Sequence, residues 1–185
     1  MKAAFTLIGR NGSRATSVHD ILEATGLSTR TFYRHFRSKD ELVVEMYRVD
    51  SGRVADLLSA AVDHAPDPLA ALEAWVDENL AVAYDPRRKR HALVLASPEA
   101  AAAEGYAEAH VAGMAAQRAP LVEVLTGGKR DGVFPATEPE ADAFAVQAVV
   151  GAYVRARMDG GEELTRAEAR AHVVDLFRRA LGAPS

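Results

Sequence analysis

Two hydroxyl-bearing residues and three arginines, Thr29, Arg30, Tyr33, Arg34 and Arg37, recur at i, i+1, i+4, i+5 and i+8. On a helix that spacing lays them along one stripe. Arginine forks onto the edge of guanine, threonine offers a hydrogen bond and a methyl contact to thymine, and tyrosine reaches phosphate. Such a stripe suits the major groove of DNA. The plain alternative is the solvated face of a small helical hairpin, the commoner state of an arbitrary hairpin of this kind.

The neighbouring residues supply the elements that would position the stripe. Val18, Ile21 and Leu22 sit at helical intervals, Gly26 interrupts them, and Phe32 and Phe36 resume the pattern four residues apart. The spacing predicts helix, tight turn, helix over residues 17–36. Gly26 fits a turn that requires positive φ, Leu27 is expected to plug the gap between the helices, and Ser28 to cap the second. Ser17 with Asp20 forms a capping-box pattern, as does Ser38 with Glu41 before the next helix. Lys39 then stands at a helix start, where exposed amides and its ammonium together favour an anion.

Residues Thr16-Ser17-Val18, Ile21, Thr25-Gly26-Leu27-Ser28, Thr31-Phe32-Tyr33, His35-Phe36 and Ser38-Lys39-Asp40-Glu41-Leu42 are dense and in register with one known motif. Over about fifty N-terminal residues the chain resembles the TetR/AcrR family of bacterial transcriptional regulators. That resemblance implies an all-α protein: an N-terminal three-helix helix-turn-helix domain (1–47) and a C-terminal helical bundle (48–185) for effector binding and dimerisation. It implies phosphate contacts for Tyr33 and Lys39, and places Ser28, Thr29, Arg30 and Arg34 near bases or backbone. With Thr16, Ser17, Thr31 and His35 these form the candidate DNA-binding set. The family often has glycine where Arg30 stands, so Arg30 is expected to set operator preference. Met1 to Phe5 matches only the latter half of the family's first helix, and a longer natural N-terminus is expected.

Charge is distributed to match. Up to Lys39, seven basic residues (Lys2, Arg10, Arg14, Arg30, Arg34, Arg37, Lys39) face only Asp20 and Glu23, a local charge of +5. The whole chain carries −4, leaving −9 on the remaining 146 residues. Positive charge confined to one region steers DNA to one face, whereas the acidic remainder argues against general coating of nucleic acid. The 185 residues, 49% of them hydrophobic, suffice for two modules. Zero cysteines excludes disulfides and thiolate metal sites. With no signal peptide or membrane-length apolar run in view, a cytoplasmic protein is expected.

Beyond Leu42 the pattern predicts helices from Lys39 to about Ala65, Leu69 to Ala83, Arg87 to Ala96, about Glu99 to Leu125, Pro139 to Asp159 and Thr165 to Leu181. The alanine-rich run Glu99 to Glu108 reads as helix on propensity. Pro120 and Gly127-Gly128 read as punctuation. Trp75, Asn79, Tyr84, His91, Tyr106, His110, Met114, Gln117, Phe144 and Gln147 are candidates for a mostly apolar effector pocket, although each serves equally as core or surface. Glu78, Glu99, Glu104 and Glu108 suit a cationic ligand or a solvated face. Val146, Val150, Tyr153, Val154, Val173 and Phe177 are candidates for a partner-facing surface, with core packing the even alternative. The resemblance implies that these two helices build a four-helix homodimer interface. It also implies a small molecule that releases the dimer from a palindromic operator.

Other chemistries find no support. Six histidines form no His-x-x-x-His pair, Gly127-Gly128-Lys129 lacks the other parts of a phosphate loop, and no nucleophile elbow is present. No catalytic residues, metal or cofactor are expected beyond an unknown small-molecule effector. The basic run Arg87-Arg88-Lys89-Arg90 reads as a surface helix start, with a second anionic contact as the alternative. A small-molecule carrier or enzyme on a helical bundle is the alternative reading, and a helical protein-interaction module the third.

Overall fold

The computed structural model describes residues 5–7, 16–161 and 163–183, all of them helix, turn or loop. The expected first helix and the basic residues Lys2, Arg10 and Arg14 fall largely outside these residues; 5–7 are helical. Nine helices follow: α1 Val18–Thr25, α2 Thr29–His35, α3 Lys39–Asp63, α4 Pro68–Tyr84, α5 Pro86–Leu95, α6 Pro98–Ala101, α7 Tyr106–Arg130, α8 Pro139–Met158 and α9 Arg166–Ala180. Their starts follow from side chains that accept the first free amides. Asp67 caps α4, Asp85 caps α5 and Ser97 caps α6, each followed by proline, which has no amide to orphan. Thr165 and Glu168 close a reciprocal capping box on α9.

Two apolar clusters organise the packing. The first gathers Ile21, Phe32, Leu42, Val43, Val44, Met46 and Tyr47 with Leu95, Ala100, Ala103, Tyr106 and Ala109 from α5 to α7. The second is built on Leu58, Leu72, Trp75, Val76, Leu80, Leu121, Leu125, Phe134, Val146, Val150, Val173 and Phe177. Helix α3 is the shared spine, contributing Leu42 to Tyr47 to one cluster and Leu58 to the other. It packs along α7 and α4, while α8 and α9 close the bundle around α4.

Three sequence expectations are corrected by this packing. The alanine-rich run is not one helix: α6 ends at Ala101, and Gly105, at φ 83°, turns the chain before α7 begins. The break frees the Glu104 amide to donate to Asp40 Oδ2 at the start of α3, a bond that a continuous helix would forbid. Alanine's propensity is worth well under about 1 kcal/mol per residue over most alternatives, too little to resist tertiary contacts. Conversely, α7 runs straight through Pro120 and Gly127-Gly128 to Arg130. Pro120, Leu121, Leu125 and Gly128 are all buried, and that burial offsets the missing proline amide.

Candidate nucleic-acid interface and interior cleft

The helical hairpin forms as its local signals dictate. Ser17 Oγ accepts from the Asp20 amide at 3.1 Å while Asp20 Oδ2 accepts from the Ser17 amide at 2.7 Å, closing the capping box on α1. Those Ser17 hydrogen bonds, side chain first, hold the Asp20 carboxyl below its usual range. Gly26 takes the left-handed conformation at φ 66° that a side chain would disfavour. Ser28 Oγ then accepts from the Thr31 amide at 3.1 Å and opens α2.

Phe32, 3% exposed, anchors α2 on the first cluster, with Phe36 packed beside it at 5.6 Å between ring centroids. Anchoring that face turns Thr29, Arg30, Tyr33, Arg34 and Arg37 outward together, and all five are exposed. Tyr33 stands edge-on to Phe32 at 5.3 Å, which steers a phenol that is 54% exposed. His35 and Ser28 are exposed on the same hairpin.

Other members of the expected set are placed differently. Thr16 is fully buried, and its carbonyl accepts from Lys39 Nζ at 3.2 Å, so its side chain presents nothing to an outside partner. Ser17 directs its hydroxyl to Asp20, and Thr31 turns back to Ser28 Oγ at 2.9 Å. Lys39 is half-buried, tying the start of α3 to the residue before α1. Leu27 does not plug the hairpin but is 47% exposed, because Ile21 and Phe32 already fill the gap. The expected box at α3 is displaced by one residue: Ser38 Oγ accepts from Glu41, but Glu41 accepts from the Arg37 amide.

Most of the expected effector residues are tied to other parts of the bundle. Trp75 is fully buried and donates to the Gln117 carbonyl at 3.0 Å; Asn79 bonds the Trp75 carbonyl. Tyr84 donates to the Leu164 carbonyl at 2.8 Å, with the Arg157 guanidinium over its ring. Tyr106 donates to the Leu95 carbonyl at 2.7 Å, and burial, with Tyr47 nearby, pushes its hydroxyl up to about 12. His110 meets Tyr47 OH at 3.0 Å, and Gln117 donates to Ser51 Oγ at 3.0 Å. Gln147 spans the Met114 carbonyl and Arg118, while Phe144 is 61% exposed beneath the Arg118 guanidinium. These polar groups were legible as residues wanting partners, but the partners are other parts of the bundle.

A cleft of about 320 Å³ opens instead between α3, α4 and α5. Asp50, Arg53, Val54 and Leu57 line it from α3, Glu78 and Val82 from α4, and Arg87, Arg88, His91 and Ala92 from α5. Of the residues expected at a ligand site, His91 and Glu78 are there. The lining shares a signal in the sequence: Asp50, Arg53 and Leu57 recur on one helix face, and so do Arg87, Arg88 and His91. Arg88 Nη1 bonds Glu78 Oε1 at 2.6 Å, and His91 Nδ1 lies 3.7 Å from Asp50. His91 also stacks on Phe5, with 4.2 Å between ring centroids, joining the cleft wall to the N-terminal segment. Among the described residues, no cluster of three or more His, Asp or Glu residues could hold a metal.

Four of the expected partner-facing residues follow the alternative of core packing. Val146, Val150, Val173 and Phe177 are buried in the second cluster, with Tyr153 and Val154 packed against it. Their apolarity serves the core. The outward faces of α8 and α9 carry Phe144, Ala148, Ala152 and, at 45% exposed, Leu176. No described helix is long and apolar enough to cross a membrane.

Comparison with known proteins agrees with this architecture. The profile of bacterial regulatory proteins of the tetR family matches residues 1–46. The HTH-type transcriptional repressor KstR2 of Rhodococcus jostii is 36% identical over 77 residues, 40% of this chain and 36% of the repressor. The chain thus spans about a third of the length of the curated relatives it matches. The TetR family transcriptional regulator PfmR of Thermus thermophilus shares the fold with a TM-score of 0.65 and 27% identity, over 97% of both chains. FadR of Bacillus subtilis, solved with stearoyl-CoA, superposes with a TM-score of 0.79 at 14% identity, covering 97% of this chain and 96% of its own. These relatives are transcriptional repressors and regulators, which are not enzymes. The hairpin is thus in register with the tetR family profile over residues 1–46, and the chain as a whole shares the fold of a named tetR family regulator.

Proposed function

We propose that the protein is a ligand-responsive transcriptional repressor that binds a palindromic DNA operator as a homodimer in the cytoplasm. The observation that carries this reading is the exposed stripe of Thr29, Arg30, Tyr33, Arg34 and Arg37, held outward by the burial of Phe32. Arg30 and Thr29, at the N-terminal end of α2, are the base-reading residues, as the leading residues of a recognition helix meet base edges. Tyr33 and Lys39 take phosphates. The bond from Lys39 Nζ to the Thr16 carbonyl holds the ammonium at the start of α3, beside the residue that precedes α1. The named relative KstR2, a transcriptional repressor, supports repression.

A homodimer brings two such helices onto successive major-groove faces, about 34–36 Å apart. The outward faces of α8 and α9, with Phe144 and Leu176, supply the apolar contact. Helix α3 joins the hairpin to the cleft, so a ligand seated there and favouring one separation of the heads lowers DNA affinity. By linkage DNA weakens that ligand equally. The bound stearoyl-CoA in FadR supports a small-molecule effector.

The test is binding to DNA from upstream of the protein's own gene, against scrambled competitor, across a salt series. Specific binding that weakens steeply with salt is expected. Absence of specific binding at low salt, in this chain and in one extended at its N-terminus, overturns the reading in favour of a small-molecule carrier.

A further inference from the structure

We infer that the cleft between α3, α4 and α5 binds a small amphipathic carboxylate, its charge held by Arg53 and Arg87 and its apolar body laid on Val54, Leu57 and Val82.

Glu78 is paired with Arg88 at 2.6 Å, and Asp50 lies 3.7 Å from His91 Nδ1. Among the described residues neither the Arg53 nor the Arg87 guanidinium has a carboxylate partner, although both line the same opening. The cleft therefore presents three arginines against two acids, and an incoming anion meets surplus positive charge. A cation drawn to Glu78 would have to break its pair with Arg88. This reverses the expectation that Glu78 favours a cationic ligand.

The backbone does not compete for this anion. Asp85 Oδ1 already accepts the amides of Arg87 and Arg88 at 2.7 and 3.1 Å, so the start of α5 has no free donors there for a ligand. Recognition falls to side chains, and a guanidinium matches the two oxygens of a carboxylate. Val54, Leu57, Val82 and Ala92 form the apolar part of the wall, which a purely polar anion would leave unsatisfied. At about 30 Å³ for each water-sized group, 320 Å³ accommodates a ligand of about ten non-hydrogen atoms.

Octanoate has that size and chemistry, and 1-octanol and octylammonium are its neutral and cationic counterparts. Calorimetry on the full chain is expected to show octanoate binding at least tenfold more tightly than either. The double variant Arg53→Gln/Arg87→Gln should lose at least tenfold of the octanoate affinity and leave octanol within about twofold. Both residues are exposed, so the fold survives the change. Val82→Trp, which fills the cleft, should abolish binding of all three. Equal affinities, preference for octylammonium, no binding of any probe, or an unaltered octanoate affinity in the double variant overturns the assignment.

That this ligand is the effector rests on the regulator reading; its chemical class does not. Specific DNA binding without octanoate preference overturns the ligand class alone. Octanoate preference without specific DNA binding overturns the regulator reading alone.

Discussion

Adjacent glycines in α7 should respond to alanine with opposite signs. A Cβ on Gly128 would stand 2.8 Å from Cε2 of Phe134 and closer still to its Cδ2. Phe134 is fully buried, and its amide, with that of Val133, donates to the Gly128 carbonyl, so neither ring nor turn has room to retreat. Overpacking of this kind costs about 1–3 kcal/mol, and so close an approach to an immobile ring belongs at the upper end. Alanine returns about 1 kcal/mol of helix propensity. The net expectation for Gly128→Ala is a loss of about 2 kcal/mol, or about 4–8 °C in melting temperature for a chain of this size. A Cβ on Gly127 meets only the Arg130 side chain, at 4.0 Å. Gly127→Ala therefore keeps the propensity gain and should melt about 2–4 °C higher. Thermal unfolding followed by far-ultraviolet circular dichroism reads both. In a Phe134→Leu background the penalty of Gly128→Ala should shrink by about 1 kcal/mol or more, as for residues in direct contact. Shifts of the same sign, or a Gly128→Ala protein as stable as its parent, would refute the reasoning.

Three further outcomes are expected. Lys39→Ala should weaken binding to all DNA sequences nearly uniformly and flatten the salt slope by about one, whereas Arg30→Ala should cost about 1–3 kcal/mol at a single base pair, both read by fluorescence anisotropy. Asp20, Asp85 and Glu168 are held below their ordinary values by hydrogen bonds from Ser17, from the Arg88 and Arg87 amides, and from Thr165. A carboxyl lowered on folding stabilises above its unfolded value near pH 4 and loses that contribution as pH falls through the lower folded value. Melting temperature should therefore fall on acidification below about pH 4, with a shallower fall in Glu168→Gln. Phe144→Asp should convert a dimer to a monomer in light scattering without lowering monomer stability, since the ring is 61% exposed.

The hairpin was legible because its signals are local. Ser17, Gly26, Ser28, Phe32 and Ser38 each act within four residues of themselves, and a helix period needs nothing else. The cleft was not legible, because it depends on which faces of α3, α4 and α5 meet. Arg53 and Arg88 read as surface until Glu78 is known to lie across from one of them. The same blindness left Val146 and Val173 open between core and partner: apolar residues on several helix faces announce burial without saying against what. Thr16 and Lys39 show a subtler failure, since a polar type at a surface-like position was read outward while the chain used it to tie two helices together. Pro120 and Gly127-Gly128 misled because punctuation is a weak prior that buried contacts override.

The first apolar cluster draws nearly half of its buried members from beyond residue 94. A head excised at the end of the family match would part Val43 and Met46 of α3 from Leu95, Ala100 and Tyr106, which share their cluster on helices packed against α3. Reading heads cannot then be exchanged among relatives as cassettes cut within α3. A chimera that transplants a new recognition helix must carry the α5–α7 corner of the donor, or graft only the outward residues of α2 onto this chain's own interior. Operator choice and core packing thus evolve on separate residues of the head, the first on the outward face of α2 and free to drift, the second bound through α3 to residues beyond position 94.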